Sequence, residues 1–591
     1  MSTSESATIL KLRIERFRGI KSLDWNPAPG MNIVLGGGDA GKTTILEAIA
    51  VLFSPSNALV LSEADYWQRK VEDEFLIEAV VALPSSSEIG QQQKFAWPWE
   101  WNGTDAVRPA DSGDNDDAPA PSGPPVYRLQ VRGTPELEIT WEIVQPNHEV
   151  DLLSTAVRRN IGVVRLGGDD RNDRDLRLVY GSALDRLLAD KGLRARIGQR
   201  VSDINLTANL GDKAKEAFDQ LDETLKKEAL PSGLDLGLTS SQGLSIGALI
   251  GLMAERAQGV SLPLASWGAG TRRMTALQIA AASEAENSIT TIDEIERGLE
   301  PYRLRKLIKA LQAQTTQSFL TTHSAVAINA ADQASLWYLD GHGHIGALAR
   351  TKIARQQERD PETFLSRFAI IAEGPTEVGF LSYLLGRAID GSFADHGVRV
   401  CDGQGNPATL ALLEAMADGG LLFGGFADNE DGQSSGRWTI LKKKMGDRLF
   451  QWESGCTEQN IISLVDEARL AELMAHPDAG VAAERRVTLA MRVGIDNKSL
   501  DAIRAATTDL RALMIAAATG SKEGAPDEET QKMWGRHGRR WFKSEAGGRE
   551  LAHKMFALGV WPTVKPDLLP FFNTVRAALG QAAITDIAHD R

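Results

Sequence analysis

Apolar and polar residues alternate along the first part of the chain, and this alternation predicts β-strands. Residues 9–14 read Ile-Leu-Lys-Leu-Arg-Ile, and residues 31–35 form a continuous apolar run of strand length. Similar patterns predict further strands at residues 75–83, 126–131 and 136–144. Residues 84–125 are rich in Ser, Gln, Asp, Gly and Pro, a composition that favours an extended surface loop.

Between residues 150 and 260 the apolar spacing becomes helical. Two apolar helix faces are predicted, one made of Leu193, Ile197, Val201 and Ile204 and the other of Ala214, Phe218, Leu221 and Leu225. The helices are short, so the segment is an insert that contributes either to a core or to a dimer surface.

A glycine-rich loop follows the predicted strand at residues 31–35. Its sequence, GGGDAGKT, fits G-x-x-x-x-G-K-[ST], and a helix is predicted directly after it. In such a loop backbone N–H groups surround the phosphates, the Lys42 ammonium reaches the terminal phosphates and the Thr43 hydroxyl ligates Mg²⁺. The predicted nucleotide-binding residues are Gly36, Gly38, Gly41, Lys42, Thr43 and Thr44.

A second anion-binding pattern lies downstream. Ser266, Gly268 and Gly270 precede a predicted helix at residues 274–282. At a helix start they offer a hydroxyl and backbone donors to an anion.

Two further strands end in polar residues. A predicted strand at residues 289–292 is followed by Asp293, which suits a Mg²⁺ site, and by Glu294, which suits the base that activates water. A strand at residues 319–322 is followed by His323. A lone histidine is more often structural, so His323 gains meaning only from its neighbours.

Acidic residues follow two strands in the second half of the chain. The strand predicted at residues 368–372 leads into Glu373 and Glu377, and the strand at 421–427 leads into Asp428 and Glu430. Open α/β sheets carry their chemistry at the carboxyl ends of their strands. Carboxylate oxygens there suit hard divalent cations. Each acid taken singly is better explained as a solvated loop or helix-cap residue, whereas acids after two apolar strands in this order favour a shared site.

The net charge of −14 does not indicate nucleic-acid binding, which depends on Lys and Arg. The distribution of charge is more informative, because residues 532–549 contain six Lys and Arg around Trp534, Trp541 and Phe542. This segment is either a nucleic-acid-binding patch or a solvated helix face.

Composition and cysteine usage narrow the class of protein. No apolar run approaches the ~18 residues that a membrane span needs, so a cytoplasmic protein without membrane contact is expected. The two cysteines, Cys401 and Cys456, are far apart in sequence, and neither a disulfide framework nor a zinc knuckle is indicated.

Taken in order, the phosphate loop, Ser-x-Gly-x-Gly, the Asp-Glu pair and the strand-end His323 resemble the head of ABC-type ATPases, over residues 9 to about 345. In that family the signature motif of one head closes on ATP held by another head. The resemblance therefore implies an ATP-dependent homodimer or higher homo-oligomer, with one Mg²⁺ bound beside ATP. The sequence departs from the family at Leu299-Glu-Pro301, where relatives often have Leu-His-Pro.

The order of strand, Glu-Gly-x-Thr-Glu, helix, strand and Asp-x-Asp/Glu resembles the Toprim domain of topoisomerases, primases and certain nucleases. An ABC-type head followed by a Toprim domain resembles the OLD (overcoming lysogenisation defect) family of nucleases, and the short helical insert resembles its second class. The metal ligands that this resemblance implies are Glu373, Glu377, Asp428, Glu430 and Glu458. Glu453 is a rival for the role of Glu458, and Lys543 resembles the lysine that stabilises charge on the phosphate.

The predicted fold class is α/β, with an ABC-type ATPase head, a short helical dimerisation insert and a Toprim α/β domain that carries its own helical insert. The predicted domains are an ATPase N-lobe at residues 1–150, the helical insert at 151–260, an ATPase C-lobe at 261–360 and the Toprim nuclease domain at 361–591.

The function implied by the resemblance is that of an ATP-hydrolysing, metal-dependent DNA endonuclease with two Mg²⁺ or Mn²⁺ ions in the Toprim site. Glu294, Glu373 and Lys543 are its predicted catalytic residues, and antiphage defence with a DNA helicase encoded nearby is its implied setting. One alternative is an ATP-driven DNA clamp whose carboxylates hold a structural metal. Another is a Toprim primase or topoisomerase, which the absence of zinc modules and of a recognisable cleavage domain disfavours.

Overall fold

The computed structural model of the protein describes most of the chain. The described ranges are residues 6–57, 59–84, 96–109, 123–166, 250–256, 260–282, 289–340, 342–429 and 435–588, with a few single residues and short stretches between them. Of the residues predicted to form the insert's apolar faces, Leu193 is described and lies in a helix. Those outside the described residues are Ile197, Val201, Ile204, Ala214, Phe218, Leu221 and Leu225.

The chain divides into two compact units. The first consists of Met1–Asn32 and Thr43–Thr322, and the second of Ile33–Lys42 and His323–Arg591.

The described strands, numbered along the chain, are β1 (Thr8–Phe17), β2 (Ile20–Trp25), β3 (Met31–Gly36), β4 (Phe75–Ala82), β5 (Trp99–Trp101), β6 (Ala106–Val107), β7 (Pro125–Gly133), β8 (Ile139–Val144), β9 (Val150–Leu152), β10 (Val163–Leu166), β11 (Met253–Arg256), β12 (Val260–Pro263), β13 (Ile289–Ile292), β14 (Ser318–Thr321), β15 (Ser335–Leu339), β16 (Ile345–Leu348), β17 (Phe368–Ala372), β18 (Val398–Asp402), β19 (Phe423–Ala427) and β20 (Leu449–Gln451).

The described α-helices are α1 (Lys42–Leu52), α2 (Thr155–Ile161), α3 (Ala269–Ala282), α4 (Pro301–Gln312), α5 (Ala325–Ala330), α6 (Arg350–Arg359), α7 (Pro375–Ala388), α8 (Asn406–Asp418), α9 (Ser435–Met445), α10 (Thr457–Ser463), α11 (Ala479–Val493), α12 (Leu500–Ala506), α13 (Leu510–Thr519), α14 (Glu528–His537), α15 (Glu545–Ala557) and α16 (Trp561–Ala578). Among the residues that the structure describes, no helix has both the length and the apolar character needed to cross a membrane.

The first unit contains an antiparallel sheet in the order β2-β1-β4-β7-β5-β6, with β8 and β9 continuing from β7. The alternation predicted for β1 is observed, since Leu12 and Ile14 are buried while Arg13 between them is partly exposed. The prediction of an extended surface loop at residues 84–125 is wrong for residues 99–107, because β5 and β6 pair there and Trp99 is buried. The aromatic side chain gives this polar segment enough apolar surface to join the sheet.

A second set of strands in the first unit is parallel. β13 lies between β10 and β14, with Ile289 opposite Val163 and Thr290 opposite Ser318. All four residues of β13 are buried, as expected for a parallel strand covered on both faces. The residue that follows β13, Asp293, therefore leaves the sheet at the carboxyl ends of these strands.

The second unit is built on a four-stranded sheet in the order β18-β17-β19-β20, in which every pair is parallel. Ala372 at the end of β17 pairs with Asp402 on one side and Phe426 on the other. β17 and β19 follow the predicted strands, whereas β18 was not predicted from the sequence. Its addition places Asp402 beside the two predicted acidic strand ends.

Glycines allow α7 and α15 to approach to backbone contact. A Cβ on Gly379 of α7 would lie 1.9 Å from the Glu545 carbonyl oxygen, and a Cβ on Gly548 of α15 would lie 2.0 Å from the Thr376 carbonyl oxygen. Real Cβ atoms do not approach oxygen so closely, so any larger side chain at these positions forces the helices apart.

We expect Gly379→Ala to lower the free energy of unfolding by about 1–3 kcal/mol, since the new methyl group overlaps the backbone of α15. Gly386 lies on the same helix with open space around its Cβ position. Gly386→Ala is the matched control, and it should be neutral or stabilise the protein by up to about 1 kcal/mol. Urea unfolding of both variants measures the difference, and equal stabilities would contradict the close packing.

Candidate functional site

The predicted phosphate loop begins where β3 ends. Gly36 lies close to β15, where a Cβ would be 2.4 Å from the Leu339 carbonyl oxygen, so glycine is required. Lys42 is buried, and its Nζ donates to the carbonyl oxygens of Gly36 at 3.0 Å and Gly37 at 2.7 Å. The ammonium therefore lies inside the loop, where the lysine of this motif contacts the terminal phosphates.

The other predicted residues of the loop also lie at its turn and at the start of the helix. Gly38 is exposed, Gly41 has a φ of +100°, and Thr44 lies in the first turn of α1.

Thr43 and Asp293 lie within hydrogen-bonding distance. Thr43 Oγ1 donates to the Asp293 carboxylate, 3.2 Å from Oδ1 and 3.1 Å from Oδ2. Thr321, at the end of the neighbouring strand β14, donates its hydroxyl to Asp293 Oδ1 at 2.5 Å. A hydroxyl beside an oriented carboxylate fits the donor set that holds Mg²⁺ in phosphate-loop proteins.

Glu294 is held in an unusual backbone conformation. Its φ is +47°, in the left-handed region that residues other than glycine rarely adopt. The Glu294 N–H donates to Thr321 Oγ1 at 2.8 Å, and the side chain lies 3.5 Å from the Arg297 guanidinium. Strain of this kind concentrates at functional positions.

The Ser-x-Gly-x-Gly residues lie at the start of α3. The helix begins at Ala269, five residues before the predicted start, so Gly270 is in its first turn. Gly270 packs against Gly298, whose carbonyl oxygen would be 2.2 Å from a Cβ on Gly270. Ser266 Oγ donates to the Pro263 carbonyl oxygen at 2.7 Å, and Gly268 is exposed.

His323 is exposed and lies two residues beyond the end of β14.

A carboxylate cluster lies at the carboxyl ends of β17 and β19. Glu373 Oε2 accepts from the Asp428 N–H at 3.0 Å and from Asn406 Nδ2 at 3.1 Å. Because β17 and β19 are parallel neighbours, their ends bring Glu373 and Asp428 together as the sequence suggested.

The start of α10 completes this cluster. Asp428 Oδ1 accepts from the backbone N–H of Thr457 at 3.0 Å and from its hydroxyl at 3.1 Å. Glu458, the next residue, is buried, and its Oε1 accepts from Thr376 Oγ1 at 3.0 Å. Its rival Glu453 is exposed, so Glu458 is the acid that joins the cluster. Glu430 lies outside the described residues.

Burial makes the ionised form of Glu377 unfavourable. The side chain lies in the first turn of α7 and is almost fully buried. Burial raises the pKa of the Glu377 carboxyl to about 8, and the nearby charge of Glu458 adds to the rise. Several buried carboxylates in one place fit the oxygen donors that Mg²⁺ and Mn²⁺ prefer.

Cys456, Thr376 and Thr457 are site residues that the sequence did not reveal. The donor atoms of Asp428, Cys456 and Glu458 all lie within 4.8 Å of one another, and all three residues are buried. The Gly-Cys-Thr-Glu sequence at the start of α10 carries no recognised ligand spacing, so only the folded chain brings the thiol to the acids.

Lys543 is exposed and lies between a 3-10 turn and α15. Its backbone N–H donates to the Gly538 carbonyl oxygen at 3.0 Å, and the carbonyl oxygen of the preceding Phe542 accepts from Thr376 Oγ1 at 3.2 Å. Thr376 thus contacts both Glu458 and the segment that carries Lys543.

The basic and aromatic segment at residues 532–549 separates into two parts. Trp534, Trp541 and Phe542 are buried, so they are not available to stack on nucleic-acid bases. The Lys and Arg side chains are exposed and supply its surface charge, and they belong to Lys532, Arg536, Arg539, Arg540, Lys543 and Arg549.

The chain is similar to known proteins over parts of its length. A family described as "AAA domain, putative AbiEii toxin, Type IV TA system" matches residues 31–329, a range that includes the phosphate loop, Asp293, Glu294 and His323. The DNA replication and repair protein RecF of Shewanella baltica is 49% identical over 45 residues, which make up 8% of this chain and 12% of that protein. The match thus spans only about an eighth of the length of that protein.

Two solved structures are similar at 14% identity. The Smc head domain of Pyrococcus furiosus, bound to the C-terminal domain of ScpA, covers 60% of this chain and 99% of its own, with a TM-score of 0.32. The ATP-bound recombination mediator RecF covers 58% of this chain and 99% of its own, with a TM-score of 0.31. Similarity at these TM-scores defines neither fold nor function.

In metal-free protein, we expect the free energy of unfolding to fall as the pH rises from 4.5 to about 8. Over this range the folded chain keeps a proton on Glu377 that the unfolded chain has lost, so raising the pH favours unfolding, by at most about 1.4 kcal/mol per pH unit. Glu377→Gln should flatten this dependence. The control Glu484→Gln, at an exposed position, should not. Thermal melts in EDTA across the pH range test this, and an unchanged pH profile for Glu377→Gln would contradict it.

Proposed function

We propose that this chain couples ATP hydrolysis to metal-dependent cleavage of DNA. The chain belongs to the AAA-domain family that matches residues 31–329, and it therefore carries an ATPase domain with ATP as its nucleotide. In this proposal the ATPase domain is an ABC-type head, the C-terminal part is a Toprim nuclease domain, and the whole resembles the second class of the OLD family.

The observation that carries the nuclease proposal is the cluster of acids at the ends of β17 and β19. Glu373 and Asp428 are joined through the Asp428 N–H, and Asp428 and Glu458 are oriented by threonine donors. Burying several carboxylates without a cation raises the free energy of the folded state. Acids held in this way are therefore better explained as metal ligands than as ordinary surface residues.

Glu373, Glu377, Asp428 and Glu458 would hold the cations, together with Glu430. The chemistry that two bound divalent cations supply is a lower pKa for the attacking water and stabilisation of the leaving 3′ oxygen. Asp428 would be the central ligand of these cations, and its carboxylate is oriented by two hydrogen bonds from Thr457. Lys543 would add a fixed positive charge where negative charge develops on the phosphate.

The ATPase residues have separate roles in this proposal. Lys42 would contact the terminal phosphates, Thr43 and Asp293 would hold Mg²⁺, and Glu294 would take the proton from the water that attacks the γ-phosphate. His323 would lie beside that phosphate. Ser266, Gly268 and Gly270 of one copy would close on ATP held by a second copy, which makes the assembly an ATP-dependent homo-oligomer.

DNA is the proposed substrate for two reasons. The exposed Lys and Arg residues at 532–549 offer contacts to a phosphate backbone. RecF, which matches a short segment of the chain, is by name a DNA replication and repair protein. Action in antiphage defence beside a DNA helicase is part of the same proposal.

For Glu294→Gln we expect ATP to bind with unchanged affinity while steady-state ATP hydrolysis falls by roughly 10²-fold or more, because the water-activating base is lost. Fluorescent-nucleotide binding and phosphate release measure the two quantities. Glu72→Gln, at an exposed turn in the same unit, is the matched control and should hydrolyse ATP at the parent rate. Parent-rate hydrolysis by Glu294→Gln would remove this residue from its assigned role.

Nicking of supercoiled plasmid in Mg²⁺ or Mn²⁺ tests the nuclease proposal. Asp428→Asn should abolish nicking and spare ATP hydrolysis, because it weakens the central carboxylate and leaves the ATPase residues intact. The exposed residue Asp496 provides a control, and Asp496→Asn should nick at the parent rate. An Asp428→Asn protein that nicks like its parent would remove Asp428 from the cleavage site, whereas a parent chain that does not nick would favour the alternative, a DNA clamp with a structural metal.

A further inference from the structure

Two carboxylates and one thiol converge in the second unit. The donor atoms of Asp428, Cys456 and Glu458 lie within 4.8 Å of one another. Their exposed fractions are 7%, 1% and 2%. We infer that Cys456 is a protein ligand in the carboxylate site, so that this site binds a thiophilic divalent cation such as Zn²⁺, Co²⁺ or Cd²⁺ through one thiolate and two carboxylates. The inference deepens the proposed function and rests on it for the biological use of the site.

The backbone around Cys456 fixes the thiol beside Asp428. Asn429, directly after Asp428, exchanges two backbone hydrogen bonds of 2.9 Å with Gly455, directly before Cys456. Asn429 Nδ2 also donates to the Glu453 carbonyl oxygen at 2.6 Å. The two segments that carry the carboxylate and the thiol are therefore bound together before any ligand enters.

The carboxylates are oriented by groups that do not neutralise them. Thr457 donates to Asp428 Oδ1, and Thr376 donates to Glu458 Oε1. These hydrogen bonds come from neutral hydroxyl and N–H groups, which orient a metal ligand and leave its negative charge in place. A buried pair of carboxylates with a thiol close by is thus a donor set that a cation stabilises.

The second cysteine of the chain has a different environment. Cys401 in β18 is buried, and its sulfur accepts from Thr363 Oγ1 at 3.1 Å. Among the described residues it joins no group of three possible ligands. Cys401 behaves as a small apolar core residue, and it is a matched control for Cys456.

The chemistry of the thiol decides which metals gain from it. On binding, the Cys456 S–H proton leaves to solvent and a metal–sulfur bond forms, with no change of oxidation state. Thiolate is a soft ligand that favours Zn²⁺ and similar ions, whereas Mg²⁺ prefers oxygen. Zn²⁺ should therefore compete with Mg²⁺ at this site, and it should be held more tightly than oxygen ligands alone would hold it.

Co²⁺ is the optical probe for this test. The full chain with one equivalent of Co²⁺ should show a near-ultraviolet thiolate-to-metal charge-transfer band. Cys456→Ser should lose the band and weaken Zn²⁺ binding by about 10-fold or more, since losing even an outer hydrogen-bond partner of a ligand costs about 10- to 100-fold. Cys401→Ser should retain both. A band that is absent from the parent chain, or that persists in Cys456→Ser, would overturn the inference.

X-ray absorption of the parent chain with one equivalent of Zn²⁺ needs no variant. We expect a sulfur scatterer at about 2.3 Å beside oxygen at about 2.0–2.2 Å, and a shell of oxygen or nitrogen alone refutes the thiolate ligand. These measurements do not depend on DNA cleavage. A sulfur signal without plasmid nicking would overturn the nuclease proposal alone, and nicking with an oxygen-only shell would overturn the thiolate ligand alone.

Discussion

The parallel pairing of β17 with β19 is the constraint on which the carboxylate site depends. Ala372 pairs with Phe426, and the strands then release Glu373 and Asp428 side by side at one edge of the sheet. Every residue of β19 is buried, so a shift of one residue would exchange its side chains between two buried faces and disrupt the packing of Phe423 and Phe426. The core that fixes this register also fixes the distance between the two acids.

Strand ends were the part of this site that could be predicted. An apolar run followed at once by an acid is a local pattern, and Glu373 and Asp428 both follow such runs. Thr376 could not be found in this way, since its role comes from contacts with Glu458 and with the Phe542 carbonyl oxygen, 82 and 166 residues away. Cys456 was missed for a similar reason, because a thiol without a nearby cysteine or histidine has no spacing to recognise.

Local composition misleads where it does not reveal which side of a segment faces the core. Trp534, Trp541 and Phe542 lie among basic residues, and the segment looked equally like a binding patch and a solvated helix face. In the structure Trp541 Nε1 donates to Thr488 in the core, and the buried Arg485 pairs with Glu550 nearby. The aromatic residues stabilise the fold, and the Lys and Arg side chains of the segment remain exposed without them.

The left-handed backbone of Glu294 sets stability against chemistry at a single position. A residue with a Cβ loses roughly 1–2 kcal/mol in that conformation, whereas glycine adopts it without penalty. Selection for thermostability alone would therefore replace Glu294 with glycine, and the same step would discard the carboxylate to which we assign water activation. A thermostable version of this chain has to gain its stability at other positions.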